Sequence, residues 1–330
     1  MKTIILCGLL AALALVFVPP ERSVAKQTED VVLLIEEPAA ASALSAAPSA
    51  DEPEARTVQL KTEDGVETVD EDTYLTAVVL TEMPASFEPE ALAAQAVAAR
   101  TFLARQRLAG KHMDCDVCAD SAWSSEAALE AKYGVELPQY WDKASSAVTE
   151  TTGEILTYDG APIEAVYFSC SGGSTEAAVA VWGTDVPYLQ AVESPGEQDA
   201  LRYESEAVFP EDELRAILNK AAPEAKLDGP SEGWFGEPFL TEGGGVASVT
   251  IGGEDFTGTQ LRSLLGLNST RFTVTCGDGE VVFHVRGFGH RVGMSQYGAN
   301  AMAKLGFDYR AILQYYYRGA GIEKASQAGA

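Results

Sequence analysis

Two prolines constrain this chain more than any other feature. The stretch DTYLTAVVLTEMPASFEPEALAAQAVAARTFLAR, Asp72 to Arg105, carries two helical patterns, and Pro84 and Pro89 fix where the first stops and the second starts. Proline removes a backbone donor and restricts the residue before it, so a helix over Thr73–Met83 with Asp72 as N-cap breaks at Pro84. That register aligns Leu75, Val78, Val79 and Glu82, which puts a carboxylate on an apolar stripe in the last turn. The macrodipole and poor solvation both disfavour charge there, so the pKa of Glu82 is expected to rise, the condition for a general acid near neutral pH. A second helix has Glu88 as N-cap, Pro89 at its first position, and Leu92, Ala96, Ala99 and Leu103 along one face. Arg100 lies one position from that face. Two readings of Glu82 therefore stand: an acid with Arg100 beside it in a cleft, or one half of a structural ion pair with Arg100.

Upstream, one Lys precedes an uncharged, almost wholly apolar run from Ile4 to Val18, then Pro19-Pro20, which reads as an export signal. Ser23-Val24-Ala25 offers small residues for cleavage, and an uncleaved anchor in the membrane is the other reading of residues 1–25. Residues 26–56 form a linker rich in Ala, Ser, Pro and acids that cannot build a core. The 330 residues carry 23 basic and 49 acidic side chains, net −26, which excludes nucleic acid as a partner and would repel anionic polymers. Residues 26–72 hold 13 acids and 3 bases, a net of −10, so much of the acidity is a solvating tail.

Val58 to Val69 alternates like a hairpin around Glu63-Asp64-Gly65. His112, Cys115 and Cys118 fall within seven residues and can hold zinc, although a Cys115–Cys118 disulfide or two free thiols fits an exported chain equally. EILTYDGAPIEAVYFS reads as strands about the Asp159-Gly160 turn. Ser169 to Glu176, SCSGGSTE, is a small Gly-rich loop able to approach a ligand closely. Ser171 is a poor nucleophile candidate, because Ser169 stands where a nucleophile elbow needs Gly. Further on come a helix from Glu211 to Ala222, the run VASVTI, a short helix over Gly258–Leu265, and strands FTVTC and EVVFHV around Gly277-Asp278-Gly279. Cys170 and Cys276 are one possible disulfide among several. The last stretch packs His290, Ser295, Gln296 and Tyr297 behind a Gly-rich bend, with one helix ending near Gly306 and another starting at Asp308.

Three long stretches, in order, resemble the stage II sporulation protein D family of peptidoglycan lytic transglycosylases and amidase-enhancer relatives. They are YLTAVVLTEMPASFEPEALAAQAVAARTFLAR, YFSCSGGSTEAAVAVWGTDVPYLQAVESP (Tyr167–Pro195) and GFGHRVGMSQYGANAMAKLGFDYRAILQYYYRG (Gly287–Gly319). The resemblance implies an α+β fold: one catalytic domain over residues 57–322, followed by a tail, with helical signature segments and small β units around a glycan-binding cleft. It makes Glu82 the catalytic acid/base and puts Ser169, Ser171, Gly172, Gly173, His290, Ser295, Gln296 and Tyr297 along the substrate. Arg291 replaces a glycine usual in the family, so it is either strained or able to recharge the cleft; Arg291 and Arg100 are the expected partners of substrate carboxylates. The family's four-ligand zinc pattern is half broken, with Trp123 and Ser124 at the later pair. A structural zinc at His112, Cys115 and Cys118 is thus an expectation, and catalysis requires no cofactor.

The implied activity is cleavage of denuded glycan strands to 1,6-anhydro-N-acetylmuramic acid products during sporulation and engulfment, on the cell-envelope side of the membrane. A partner amidase would remove the stem peptides, and an uncleaved N-terminus would add a membrane contact. The rivals are a non-catalytic peptidoglycan-binding protein or amidase enhancer, and a peptidase built on Cys170 and His290.

Overall fold

The computed structural model describes residues 56–110, 114–119 and 122–325. The expected leader, the linker up to residue 55 and the zinc candidate His112 lie outside the described residues. Among the described residues, no helix is long and apolar enough to cross a membrane.

The chain opens with the expected hairpin, β1 (Thr57–Thr62) and β2 (Gly65–Asp70), closed by Thr62 opposite Gly65. Helix α1 (Glu71–Glu82) begins earlier than its sequence pattern indicates. Asp70, not Asp72, is the N-cap and accepts from the Thr73 N–H at 2.9 Å. After Pro84 comes α2 (Pro89–Ala109), with Pro89 in its first turn and Gly110 in the left-handed region at φ +54° as its C-cap. Strand β3 (Val117–Cys118) runs parallel to β1, and α3 (Glu126–Tyr133) and α4 (Leu137–Glu150) follow. Helix α1 packs against α2, α3 and α4, which buries Tyr74 to Leu80 without interruption. The single apolar stripe is therefore corrected: α1 is buried on all sides over its middle turns, with Thr76 satisfied by the Asp72 carbonyl at 2.7 Å.

Strands β4 (Glu154–Tyr158) and β5 (Ala161–Pro162) meet at the Asp159-Gly160 turn, where Asp159 takes φ +50°. Then come β6 (Tyr167–Phe168) and the short α5 (Ala178–Trp182).

A second core starts at β7 (Glu204–Pro210) and α6 (Glu211–Ala221). Strands β8 (Phe239–Leu240), β9 (Val246–Ile251) and β10 (Glu254–Thr257) form one sheet in the order β10-β9-β8. Helix α7 (Gly258–Leu265) opens with a complete capping box from Thr257 and Gln260. Strands β11 (Arg271–Gly277) and β12 (Glu280–Arg286) pair as expected and take β7 as a third strand in the order β11-β12-β7. Leu214, Leu218, Ile251, Leu261 and Phe283 fill this core.

The chain then returns to the first core with β13 (Met294–Ser295), parallel to β6, followed by α8 (Gln296–Lys304), α9 (Tyr309–Tyr316) and β14 (Gly321–Lys324), antiparallel to β4. Ile312, Leu313 and Tyr316 are buried along α9, the face its spacing predicts. The fold is α+β.

Candidate functional site

Glu82 is the last residue of α1 and is half-buried. Met83 leaves the helix in an extended conformation, its N–H still bonded to Val79 O at 2.9 Å. The carbonyls that this break strands are met from α3: Lys132 Nζ donates to Leu80 O at 2.9 Å and Thr81 O at 3.1 Å, and the Tyr133 hydroxyl to Leu80 O at 2.7 Å. The loop beyond is held as firmly. Lys143 Nζ donates to the carbonyls of Ala85 and Phe87, and the Glu88 N–H donates to Asn300 Oδ1 at 2.8 Å. Lys132 is close enough for the Glu82 charge to favour its ammonium form, although burial of the ammonium is the larger effect and lowers its pKa.

Tyr167, brought in by β6, lies near enough to feel the Glu82 charge. Burial first, and the Glu82 charge second, push its phenol well above 10, so it is a hydrogen-bond donor and not a base. Gln95, fully buried on α2, reaches the same phenol. Its Oε1 accepts from Gln296 Nε2 at 3.4 Å, while its Nε2 has no hydrogen bond of good geometry among the described residues. Tyr297 packs edge-on to Phe87 with ring centroids 4.9 Å apart. His290 lies between the rings of Phe168 and Trp182, at 5.6 and 5.4 Å. Its Nδ1 accepts from the Val292 N–H at 3.1 Å, and burial lowers its pKa to about 4, so the ring is neutral at pH 7. Glu82, Tyr167, Gln95, Gln296 and Lys132 thus form one polar group at the junction of α1, α2, α3 and β6. His290 adjoins it through a hydrogen bond to the Tyr167 backbone.

Several expected site residues are structural instead. Arg100 is buried away from Glu82, where its guanidinium caps the end of α4 with bonds to Val148 O at 3.0 Å and Thr151 O at 2.8 Å; its ion-pair partner is Glu71, at 3.8 Å. The opposite helix end, with carbonyls that need a donor, outcompetes the cleft for this cation.

Arg291 is fully buried at φ +67°. It pairs with Glu176 at 3.1 Å and donates to the carbonyls of Ser171 at 2.8 Å, Ser174 at 2.8 Å and Gly243 at 2.6 Å, so it cannot recharge a cleft. Burial lowers its pKa to about 10, which leaves it charged at neutral pH. The Gly-rich run ending at Gly245 serves this pair, because a Cβ on Gly243 or Gly245 would overlap Glu176.

Ser171 is buried, and its N–H and hydroxyl both donate to Glu197 Oε2 at 2.7 Å. A Cβ on Gly172 would meet the backbone of Arg286 and Gly287 at 2.8 Å, so that glycine permits contact within the chain and not with a ligand. Gly173 packs near Arg271, and the Ser169 carbonyl accepts from Ser295 Oγ at 3.4 Å. Ser295, fully buried, caps α8.

Cys115, Cys118, Cys170 and Cys276 are all free thiols, which corrects both disulfide readings. Burial raises the Cys170 thiol to about 12, too high for a nucleophile at neutral pH, and removes the peptidase reading. Among the described residues no three His, Cys, Asp or Glu side chains converge as a metal site. Cys115 and Cys118 are two ligands where a closed zinc site takes four, so nothing here is routed through a metal.

A half-buried carboxylate beside one lysine and a neutral phenol is an arrangement able to give and take a proton. Residues 59–158 match the family model described as Stage II sporulation protein. The chain is 39% identical over 269 residues to Stage II sporulation protein D of Bacillus subtilis (strain 168), covering 79% of this chain and 76% of that protein. It is 38% identical over 269 residues, with the same coverage, to the Stage II sporulation protein D of Bacillus amyloliquefaciens. The Amidase enhancer of Bacillus subtilis (strain 168) is 28% identical over 301 residues, covering 75% of this chain and 40% of that protein. The chain belongs to the stage II sporulation protein D family.

Proposed function

We propose that this protein is a peptidoglycan lytic transglycosylase of sporulation, exported to the cell-envelope side of the membrane, with Glu82 as its acid/base. The observation that carries the reading is the position of Glu82: half-buried at a proline-broken helix end, with Lys132 and the neutral phenol of Tyr167 both within reach of its charge. Protonated Glu82 donates to the glycosidic oxygen as the bond to N-acetylmuramic acid breaks. The resulting carboxylate takes the proton from the C6 hydroxyl of that sugar, whose oxygen closes on the anomeric carbon to give the 1,6-anhydro ring. The nucleophile belongs to the substrate, so one carboxylate serves both steps and no second acid is needed to activate water. Tyr167 and Gln95 supply hydrogen-bond donors, and Lys132 stabilises the carboxylate between the two steps.

Arg100 and Arg291, both held in structural contacts, take no part in this mechanism. The cation beside Glu82 is Lys132, which suits strands carrying lactyl carboxylates after an amidase has removed their peptides. The likeness to an amidase enhancer favours a second reading, in which the same surface holds glycan for a partner amidase without cutting it. Glu82→Gln separates the two: loss of anhydro-ended fragments with glycan binding retained supports catalysis, and unchanged stimulation of an amidase by a protein that never yields such fragments supports the enhancer.

A further inference from the structure

Gln95 is fully buried on α2 among Ala93, Ala94, Ala96 and Ala98, and its Nε2 has no acceptor of good geometry among the described residues. A buried donor left unmet destabilises a fold, and an apolar side chain at this position would avoid that cost. Its surroundings are set by strand pairing. Strand β13 runs parallel to β6 with Met294 opposite Tyr167 and Ser295 opposite Phe168, so Gln296, the first residue of α8, follows within two residues of the partner of Tyr167. From there Gln296 Nε2 donates to Gln95 Oε1 at 3.4 Å. With that oxygen engaged, Gln95 has its NH2 group to offer the Tyr167 phenol. Burial raises the phenol, and Gln95 works against the rise, which is the sign of an amide donating to the phenolic oxygen; an amide accepting from the hydroxyl would add to it.

A neutral phenol has one proton. When its oxygen accepts from Gln95, that proton is directed away from Gln95 and toward the other groups that act on the ring, Glu82, Tyr74 and Tyr317. Tyr317 is itself committed as a donor to Val166 O at 2.8 Å, and Glu82 is the one charged group of the three. We infer that Gln95 and Gln296 are positioning residues for the reaction at Glu82: donation runs from Gln296 to Gln95 to Tyr167, and so fixes Tyr167 as a donor to the Glu82 carboxylate. The inference rests on the reading of Glu82 as the acid/base. A hydrogen bond to the carboxylate is stronger than one to the carboxylic acid, so the relay acts once Glu82 has given its proton to the glycosidic oxygen. It thereby adds to the effect of Lys132 and offsets the macrodipole at this helix end.

The test follows the Glu82 carboxyl by NMR in the full-length protein, isotope-labelled at its glutamate carboxyls, as the pH is stepped; the resonance is identified by its loss in Glu82→Gln. Gln95→Met should raise the midpoint of the Glu82 titration and lower kcat about tenfold, about 1.4 kcal/mol. Gln296→Met should raise the midpoint at least as far, because it frees Gln95 Oε1 to take the phenolic proton away from Glu82. In the Tyr167→Phe background neither substitution should move the midpoint further, since no proton is left to direct. Urea midpoints should hold in Gln95→Met, which removes a buried donor without an acceptor. An unmoved Glu82 titration in both single variants, the same shift on top of Tyr167→Phe, or unfolding of both single variants would each overturn the assignment. The titrations decide it even where the unaltered protein yields no anhydro ends, an outcome that would defeat only the acid/base reading.

Discussion

Helix α1 begins and ends with a glutamate, and the two are treated oppositely. Glu71 sits in the first turn, where the macrodipole favours an anion, and it is buried against Arg107 at 2.8 Å and Arg100 at 3.8 Å. Glu82 sits in the last turn, where the macrodipole opposes it, and remains half-buried beside a lysine that also serves backbone carbonyls. Burial alone therefore does not mark a working acid. The more buried glutamate is locked in ion pairs, and the less buried one stands at the helix end that destabilises its charge.

Exchanging function and stability between these two sites is the sharpest way to break the comparison. Glu82→Gln should lower turnover about 10²–10⁴-fold, with a change in melting free energy within about 0.5 kcal/mol. Arg291→Met, at the other locked pair, should cost about 3–5 kcal/mol by stranding Glu176 in the interior, read as a lowered urea midpoint. Arg291→Gly should recover about 1–2 kcal/mol of that because glycine accepts the positive φ. Glu71→Gln should destabilise by about 1.5–3 kcal/mol and leave the sugar products unchanged, the converse of Glu82→Gln. If Glu71→Gln abolished product while Glu82→Gln kept it, the assignment would be reversed.

Smaller effects sharpen the picture. His290 has a folded pKa near 4 against an ordinary value of 6.5, so between these values the unfolded chain binds the extra proton. Its contribution to stability is complete above about pH 6.5 and is lost as the pH falls toward about 4. His290→Phe should flatten that part of the stability curve in urea melts at stepped pH. Lys132→Met removes an exposed cation, so its effect on stability should stay within about 1 kcal/mol, while the basic limb of the pH–rate profile, where protonated Glu82 is lost, moves upward as the carboxylate loses its neighbour.

Much of this was legible in the sequence. Pro84 and Pro89 bounded α1 and α2, and the hairpins at Glu63-Asp64-Gly65, Asp159-Gly160 and Gly277-Asp278-Gly279 were announced by their turn residues. The cap on α1 is not legible because Asp70 and Asp72 are equally good caps locally, and the preceding strand decides between them. The roles of Arg100 and Arg291 are hidden for a different reason. A charged residue near a signature reads as a ligand contact, and only the tertiary structure reveals a partner as distant in sequence as Glu176. The clue to that pair was present in the glycines at 243 and 245, which leave room for Glu176. Tyr167 and Lys132 lacked any local signal of their role. Gln95 had one, as a lone amide among alanines on a buried helix face.

The central claim is that the sugar's own hydroxyl, and not water, completes the reaction at Glu82. Digestion of peptide-free glycan strands in water labelled with heavy oxygen, followed by mass spectrometry of the fragments, tests it directly. The fragments should end in 1,6-anhydro-N-acetylmuramic acid, one water lighter than hydrolysis products and free of the label, with none formed by Glu82→Gln. Labelled reducing ends would contradict it, as would anhydro ends produced equally by the variant.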